Sequence, residues 1–177
     1  MKVLSRLSPD KLRRVPAIER ELIEPIGEVT VNFAMLETIL KTGIAQYLFP
    51  EGDHGWGQIT SSIVTSEMSF RKIVDMFQCL MLYRCPDADL EACRKLCSEC
   101  YQLEEKRNAI VHSHWAIDHE SKATVRLKTT AKGRGLRQQE EPTSKADIVK
   151  VADDICLLAK RLEDFISMIT PGPPIPT

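Results

Sequence analysis

Residues 87–111, which read DADLEACRKLCSECYQLEEKRNAIV, carry the clearest structural signal in this chain. Apolar and cysteine side chains recur there at intervals of three and four residues, which is the spacing of one face of an α-helix. Asp87 is a candidate N-cap, followed by further acids in the first turn, where the helix dipole stabilises negative charge. We therefore predict a long helix that begins near Asp87, ends between His112 and Trp115, and packs this stripe inward. The stripe comprises Leu90, Cys93, Leu96, Cys97, Cys100, Leu103, Arg107, Ile110 and Val111.

Three further stretches show the same helical spacing and predict three more long helices. The first runs from about residue 18 to residue 48, and the second from about residue 69 to residue 83. The last begins at Thr143 or Ser144, where Asp147 stands at the position that completes a capping box.

Between the predicted helices the spacing of apolar residues changes. Residues 115–118 and 123–129 alternate apolar with polar side chains, which predicts the two strands of a β-hairpin. Residues 49–57 contain a proline and three glycines and are interpreted as a loop, and residues 133–136 are interpreted as a flexible basic loop. The chain is therefore expected to be mainly α, a four-to-five-helix antiparallel bundle with a small β-hairpin inserted before the last helix.

The composition limits the class of protein. With 177 residues, 43% of them hydrophobic, and a net charge of −1, the chain suits one domain of ordinary size and has no overall attraction to nucleic acid. We divide it into an N-terminal lead-in at 1–17, a helical domain at 18–170 and a proline-rich tail at 171–177. No apolar run resembles a secretory signal or a membrane span, so a cytoplasmic protein that does not enter a membrane is expected.

The cysteines offer a possible metal signal. Cys93, Cys97 and Cys100 match the spacing of three cysteines that hold an iron–sulfur cluster. That spacing works on a loop, whereas these residues lie in a helical stripe, so packing in the core explains them better. A structural zinc site would need a second pair of ligands that the sequence lacks. We therefore expect buried, reduced thiols, no metal and no cofactor.

The basic residues are unevenly distributed, because residues 121–139 contain no acidic residue. One interpretation is an ordinary solvated segment. The other is a rim that faces the phosphates of a nucleic acid. In that second case the candidates for RNA contact are Lys128, Lys132, Arg134 and Arg137.

The C-terminal end of the helix predicted at residues 87–111 collects several reactive side chains. Glu104, Asn108 and His112 are four residues apart and share one helix face, over which Arg107 can reach. Histidine exchanges protons near neutral pH, and arginine presents a planar fork that matches a phosphate. The same residues also suit a purely structural arrangement, with Arg107 paired to Glu104 and His112 placed favourably at a helix C-terminus.

The pattern Arg107-Asn108-x-x-x-His112 resembles the signature of the HEPN superfamily (higher eukaryotes and prokaryotes nucleotide-binding). That signature is an arginine followed, after four to six residues, by a histidine, often with a polar residue directly after the arginine. Residues 28–40, 69–73 and 111–115 are similar to small stand-alone members of the superfamily. The resemblance covers most of residues 20–170 and implies a four-helix domain with the motif late in a helix.

The resemblance also implies an activity. Many HEPN proteins are metal-independent endoribonucleases that form homodimers, in which two motifs face each other across a shared cleft. By that likeness His112 would act in acid–base catalysis at the RNA 2′-hydroxyl or the leaving oxygen. Arg107 would hold the scissile phosphate, and Asn108 would orient His112 or the phosphate. The product would carry a 2′,3′-cyclic phosphate.

Three more residues are candidates for a supporting role, namely Glu104, His114 and Glu37. His114 also departs from the pattern of some HEPN toxins, which carry there a tyrosine that a partner nucleotidyltransferase modifies. The resemblance allows a toxin or phage-defence role, with RNA and an antitoxin or other protein as partners. Two alternatives stay open: a non-catalytic HEPN-like module that binds RNA, a nucleotide or a protein, and a plain helical interaction protein with an accidental motif.

Overall fold

The structure is a computed structural model that describes residues 20–48, 54–84, 87–117, 124–132 and 135–169. In those ranges the helices are α1 (Arg20–Leu48), α2 (His54–Thr65), α3 (Phe70–Arg84), α4 (Asp87–Val111) and α5 (Lys145–Met168). The strands are β1 (His114–Ile117), β2 (Thr124–Lys132) and β3 (Gly135–Pro142). The mainly helical fold with a small sheet before the last helix is therefore confirmed. The predicted lead-in at 1–17 and tail at 171–177 lie outside the described residues.

Helix α1 lies at the centre of the bundle and packs against all four of the other helices. Its buried face repeats every three or four residues and includes Val29, Phe33, Leu36, Leu40 and Ile44. Gly43 lets the neighbouring helices come close, because a Cβ at this position would lie 2.8 Å from Ile166 Cδ1 and 2.9 Å from Phe77 Cε2.

Helix α5 begins where the sequence predicts. Ser144 is its N-cap, and the Ser144 hydroxyl accepts the backbone N–H of Asp147 at 3.2 Å. The Asp147 carboxylate in turn accepts the backbone N–H of Ser144 at 2.9 Å, which completes the capping box. The Ser144 hydroxyl also donates to the Asp147 carboxylate at 2.6 Å, and this bond, more than the one from the Ser144 backbone N–H, holds the pKa of Asp147 below its usual value.

The loop predicted at residues 49–57 is wrong in its last part, because α2 already begins at His54. Gly57 and Ser61 are buried on the side of α2 that meets α1, and the Ser61 hydroxyl donates to the Lys41 carbonyl at 3.2 Å. Packing of this small-residue face against α1 outweighs the low helix propensity of glycine, which is why local sequence indicated a loop.

The predicted hairpin is part of a larger sheet. Strands β1, β2 and β3 form an antiparallel sheet in that order, with Trp115 opposite Arg126 and Arg126 opposite Glu141. The flexible loop predicted at residues 133–136 is wrong for residues 135 and 136, since both belong to β3. The residues of β3 are mostly polar, so they lack the alternation that marks a half-buried strand.

The prediction of buried thiols holds for only some of the cysteines. Cys93, Cys97 and Cys100 are buried, Cys79 and Cys156 are exposed, and all five are free. The two exposed cysteines lie on the outward sides of α3 and α5. The spacing of apolar residues within each helix did not distinguish these positions from core positions. Cys85 lies outside the described residues. Burial raises the pKa of Cys100 to about 12.

Candidate active site at the end of α4

The last turn of α4 brings Arg107, Asn108 and His112 together. Arg107 Nη1 donates to Asn108 Oδ1 at 2.8 Å and lies 3.1 Å from His112 Nε2. A guanidinium has no acceptor atom, so this contact is a hydrogen bond when His112 Nε2 carries no proton. His112 is exposed, and its backbone N–H still bonds the Asn108 carbonyl at 3.1 Å. The three side chains thus form one hydrogen-bonded group at the surface, which we call the Arg–Asn–His triplet.

The face of the Arg107 guanidinium rests on an aromatic ring from another helix. Arg107 Cζ lies 5.1 Å from the centroid of the Phe33 ring, which is within the range of a cation–π interaction. The Phe33 ring lies in turn against Phe70, with 4.4 Å between the two centroids. Arg107 Nε is buried without a hydrogen-bond partner. An unpaired buried donor costs about 1–3 kcal/mol, so Arg107 is not the residue that stability alone would select here.

Glu104 does not join the triplet. It accepts a hydrogen bond from Arg71 Nε at 2.6 Å, and Arg71 Nη2 also bonds Glu105 at 3.1 Å. These bonds raise the pKa of Arg71, with the bond to Glu105 contributing most. Within the described ranges no carboxylate forms an ion pair with Arg107, so the structural arrangement in which Arg107 pairs with Glu104 is absent there.

Glu37 and His114, the other two supporting candidates, form no hydrogen bond or ion pair with the triplet within the described residues. Glu37 forms an ion pair with Lys41 at 2.6 Å on the surface of α1. His114 is exposed in β1, opposite Leu127 of β2. Their predicted supporting roles gain no contact from the part of the chain that the structure describes.

Two side chains from the sheet hold the end of α4, and sequence reasoning missed both functions. Arg126 Nη1 donates to the Ala109 carbonyl at 2.6 Å, and Trp115 Nε1 donates to the Ile110 carbonyl at 3.2 Å. Arg126 also forms an ion pair with Glu141 of β3. The last carbonyls of a helix have no partner within the helix, so these donors fix the turn that carries His112. Arg126 and Trp115 lie on neighbouring strands, and no local pattern shows that they reach α4.

The basic residues proposed for RNA contact are only partly described. Lys128 is exposed on β2, and its Nζ lies 3.7 Å from Glu141 Oε1. The side chains of Lys132 and Arg137 lie outside the described part of the structure, as does all of Arg134. Their contact with RNA stays a prediction.

A cavity of about 380 Å³ opens between α4, the sheet and the start of α5, but its lining does not include the triplet.

In the described ranges, no three His, Cys, Asp or Glu side chains are grouped so that they could bind a metal ion. The helices in those ranges also include none with the length and apolar character needed to cross a membrane.

Comparison with protein-family models, with curated proteins and with solved structures finds no match to this chain. The likeness to the HEPN superfamily therefore stays a prediction from residues 107–112 and their helical setting.

Proposed function

We propose that this protein is a metal-independent endoribonuclease of the HEPN type, which acts as a cytoplasmic homodimer. The observation that carries the proposal is the Arg–Asn–His triplet, in which one guanidinium nitrogen contacts both Asn108 and His112. A basic imidazole nitrogen and a phosphate-binding cation lie side by side at an exposed position, and a long polymer such as RNA can reach it. A toxin or defence role, with an antitoxin as a further partner, is part of the proposal.

The proposed roles use the basic nitrogen of His112 and the positive charge of Arg107. Once Arg107 has turned from His112 to the phosphate, His112 Nε2 accepts the proton of the 2′-hydroxyl as the 2′-oxygen attacks phosphorus. The bond from phosphorus to the 5′-oxygen breaks, and that oxygen takes a proton from His112 of the second copy, which in its protonated form makes no hydrogen bond with Arg107. Arg107 stabilises the charge that develops on the phosphate, and Asn108 holds the guanidinium in place. The substrate is RNA because DNA lacks the 2′-hydroxyl that acts as nucleophile.

The contact between Arg107 and His112 also favours a second candidate function. This candidate is a non-catalytic module that binds RNA or nucleotides. The 3.1 Å contact occupies the lone pair of His112 Nε2, so the triplet is already satisfied without a substrate. A phosphate can bind the remaining donors of Arg107 without any proton transfer. This candidate predicts binding of RNA with no cleavage.

The test is cleavage of a broad panel of RNAs in EDTA by the wild type, His112→Ala and Arg107→Ala. We expect the wild type to leave 2′,3′-cyclic phosphate ends and both variants to lose activity by at least about a hundredfold. Arg94→Ala is the control, since it removes an exposed arginine earlier in α4 that is not a candidate site residue, and it should cleave normally. Intact RNA with wild-type protein, together with saturable binding lost in Arg107→Ala, would replace the ribonuclease with the binding module.

A further inference from the structure

A cavity beside the end of α4 has the size of a small-molecule site. It opens between α4, the sheet and the start of α5, and its volume of about 380 Å³ lies within the usual range for such sites. Half of the side chains that line it are apolar, namely Ala109, Ile110, Pro142 and Val151. Its charged side chains come from three different elements and are Lys106, Arg126 and Asp147. We call it the α4–sheet cavity.

The α4–sheet cavity and the Arg–Asn–His triplet lie on different faces of α4. Helical side chains turn by about 100° per residue, so residues two apart point in nearly opposite directions. Asn108 therefore points away from Lys106 and Ile110, which both line the cavity. His112 likewise points away from Ile110. A molecule bound in the cavity would thus occupy a site of its own, separate from the phosphate that the triplet is proposed to bind.

The cations that line the cavity have hydrogen-bond donors to spare. Lys106 Nζ carries three donors, and its ion pair with Asp154 is long at 3.4 Å and half exposed. An exposed pair of this kind contributes about 1 kcal/mol or less, so Lys106 can turn to another acceptor at little cost. Arg126 bonds the Ala109 carbonyl and the Glu141 carboxylate through its two terminal nitrogens. Its Nε is buried and has no hydrogen-bond partner within the described residues.

The acceptors of the lining are already engaged. Asp147 Oδ2 accepts the backbone N–H of Ser144 at 2.9 Å and the Ser144 hydroxyl at 2.6 Å. Thr143, which also lines the cavity, donates its hydroxyl to the Glu141 carbonyl at 3.3 Å. The lining therefore carries two cations against one acid, and that acid belongs to the cap of α5. A positively charged lining with unused donors attracts an anion.

We propose that the α4–sheet cavity binds a small organic anion that has an apolar body and a carboxylate head. The body packs on Ala109, Ile110 and Val151, and the head pairs with Lys106. Other ligands match only part of this lining. A neutral apolar molecule would cover the apolar side chains but would give the cations no acceptor. Inorganic phosphate would meet the charge but would leave the apolar side chains in contact with water.

The chain contains a reporter of this cavity and an internal control. It has two tryptophans, and the indole N–H of Trp115 donates to the carbonyl of Ile110, which lines the cavity. The other, Trp56, is 67% exposed on α2 and does not line the cavity. A ligand in the cavity should therefore shift the indole resonance of Trp115 and leave that of Trp56 in place. An apolar molecule that attaches to exposed apolar side chains would shift Trp56 instead.

The first test is an NMR titration of the full-length, nitrogen-labelled chain with phenylbutyrate and, separately, with its uncharged amide. We expect phenylbutyrate to saturate at a dissociation constant of about 1 mM or lower and to shift the amides of Lys106, Ala109, Ile110 and Val151 together with the Trp115 indole. The amide analogue should bind at least about fivefold more weakly, because it cannot pair with a cation. No RNA is present, so this inference and the proposed ribonuclease activity can fail separately.

The second test changes charge and volume in turn. Lys106→Met keeps the length of the side chain and should weaken phenylbutyrate by at least about fivefold while leaving the amide analogue unchanged. Lys95→Met is the matched control, since Lys95 is an exposed lysine of α4 that does not line the cavity. Val151→Phe fills the cavity and should weaken both molecules.

Several results would overturn the proposal. They are shifts that do not saturate, shifts of Trp56 rather than Trp115, equal binding of the acid and its amide, and a Lys106→Met variant that binds phenylbutyrate as tightly as Lys95→Met. The backbone spectrum of each variant without ligand shows whether it is folded, and neither lysine substitution removes a buried side chain.

Discussion

Replacing Arg107 by methionine should separate a functional role of this residue from a structural one. Methionine keeps the length and much of the volume of the side chain, and its thioether can pack on the Phe33 ring. It removes the charge, both hydrogen bonds of Nη1 and the buried donor Nε. If Arg107 is present for chemistry, the chain should tolerate this change in stability but not in activity.

The contacts give the size of the expected change in the free energy of unfolding. The bonds to Asn108 and His112 are worth about 0.5–1.5 kcal/mol each, since both lie at a partly exposed position. The interaction with Phe33 adds about 0.5–2 kcal/mol. Against this loss, removing the unpaired buried Nε returns about 1–3 kcal/mol, and a methionine sulfur over the ring returns about 0.3–1.5 kcal/mol. The midpoints of these ranges nearly cancel, so the expected change in stability for Arg107→Met is about 1 kcal/mol or less.

The assay pairs urea unfolding with RNA cleavage in EDTA on the same preparations. We expect a nearly unchanged unfolding midpoint together with a loss of cleavage of at least about a hundredfold. Arg71→Met is the control, because it also loses two hydrogen bonds to side chains but lies outside the triplet. A destabilisation of more than about 3 kcal/mol would refute the reasoning, because Arg107 would then be a structural residue.

Three further predictions concern the fold. Gly43→Ala should lower the melting temperature, because overpacking costs about 1–3 kcal/mol against a gain in helix propensity of about 1 kcal/mol, whereas Gly27→Ala, with nothing within 4 Å of the new Cβ, should raise it. Arg161 lowers the pKa of Glu99 through a bidentate ion pair. Its contribution, under about 1 kcal/mol, should be present above the usual carboxyl pKa and lost as pH falls through the lowered value, so the stability difference between wild type and Arg161→Ala should vanish in acid. Among the five cysteines that the structure describes, iodoacetamide at pH 8 should modify the exposed Cys79 and Cys156 in the native protein and spare the buried Cys93, Cys97 and Cys100, of which Cys100 has its pKa raised to about 12 by burial. Mass spectrometry of peptides would show the buried three modified as well if the core opens readily.

The helices of the bundle could be predicted because their signals are local. The stripe of α4 repeats every three or four residues over its whole length, and Ser144 with Asp147 marks the start of α5 within four residues. Helix α2 could not be predicted in the same way. Its two buried small residues, Gly57 and Ser61, become informative only once α1 is known to pack against them, and its glycines taken alone favour a loop.

In the candidate site, too, contacts within one helix could be predicted and contacts between helices could not. Arg107, Asn108 and His112 are close in sequence, so helical geometry alone predicts that they meet. The ring beneath Arg107 comes from Phe33, more than seventy residues earlier, and apolar spacing identifies Phe33 only as a core residue. By sequence spacing Glu104 could equally well have formed an ion pair with Arg107. In the structure its carboxylate instead accepts a hydrogen bond from Arg71 of α3. Competition between partners on different helices cannot be seen in one helix.

Arg126 and Trp115 donate hydrogen bonds to the end of α4, so the sheet is connected directly to the turn that carries His112. The last turn of α4 should open and close together with the sheet, so its backbone amides should exchange with solvent at the rate of β2 rather than at the rate of the middle of α4. Strand β3 lies at the edge of the sheet, where its outer side can accept another strand, and it is linked to Arg126 through Glu141. We therefore expect a molecule that binds this edge to alter amide exchange in the last turn of α4 without contacting the triplet.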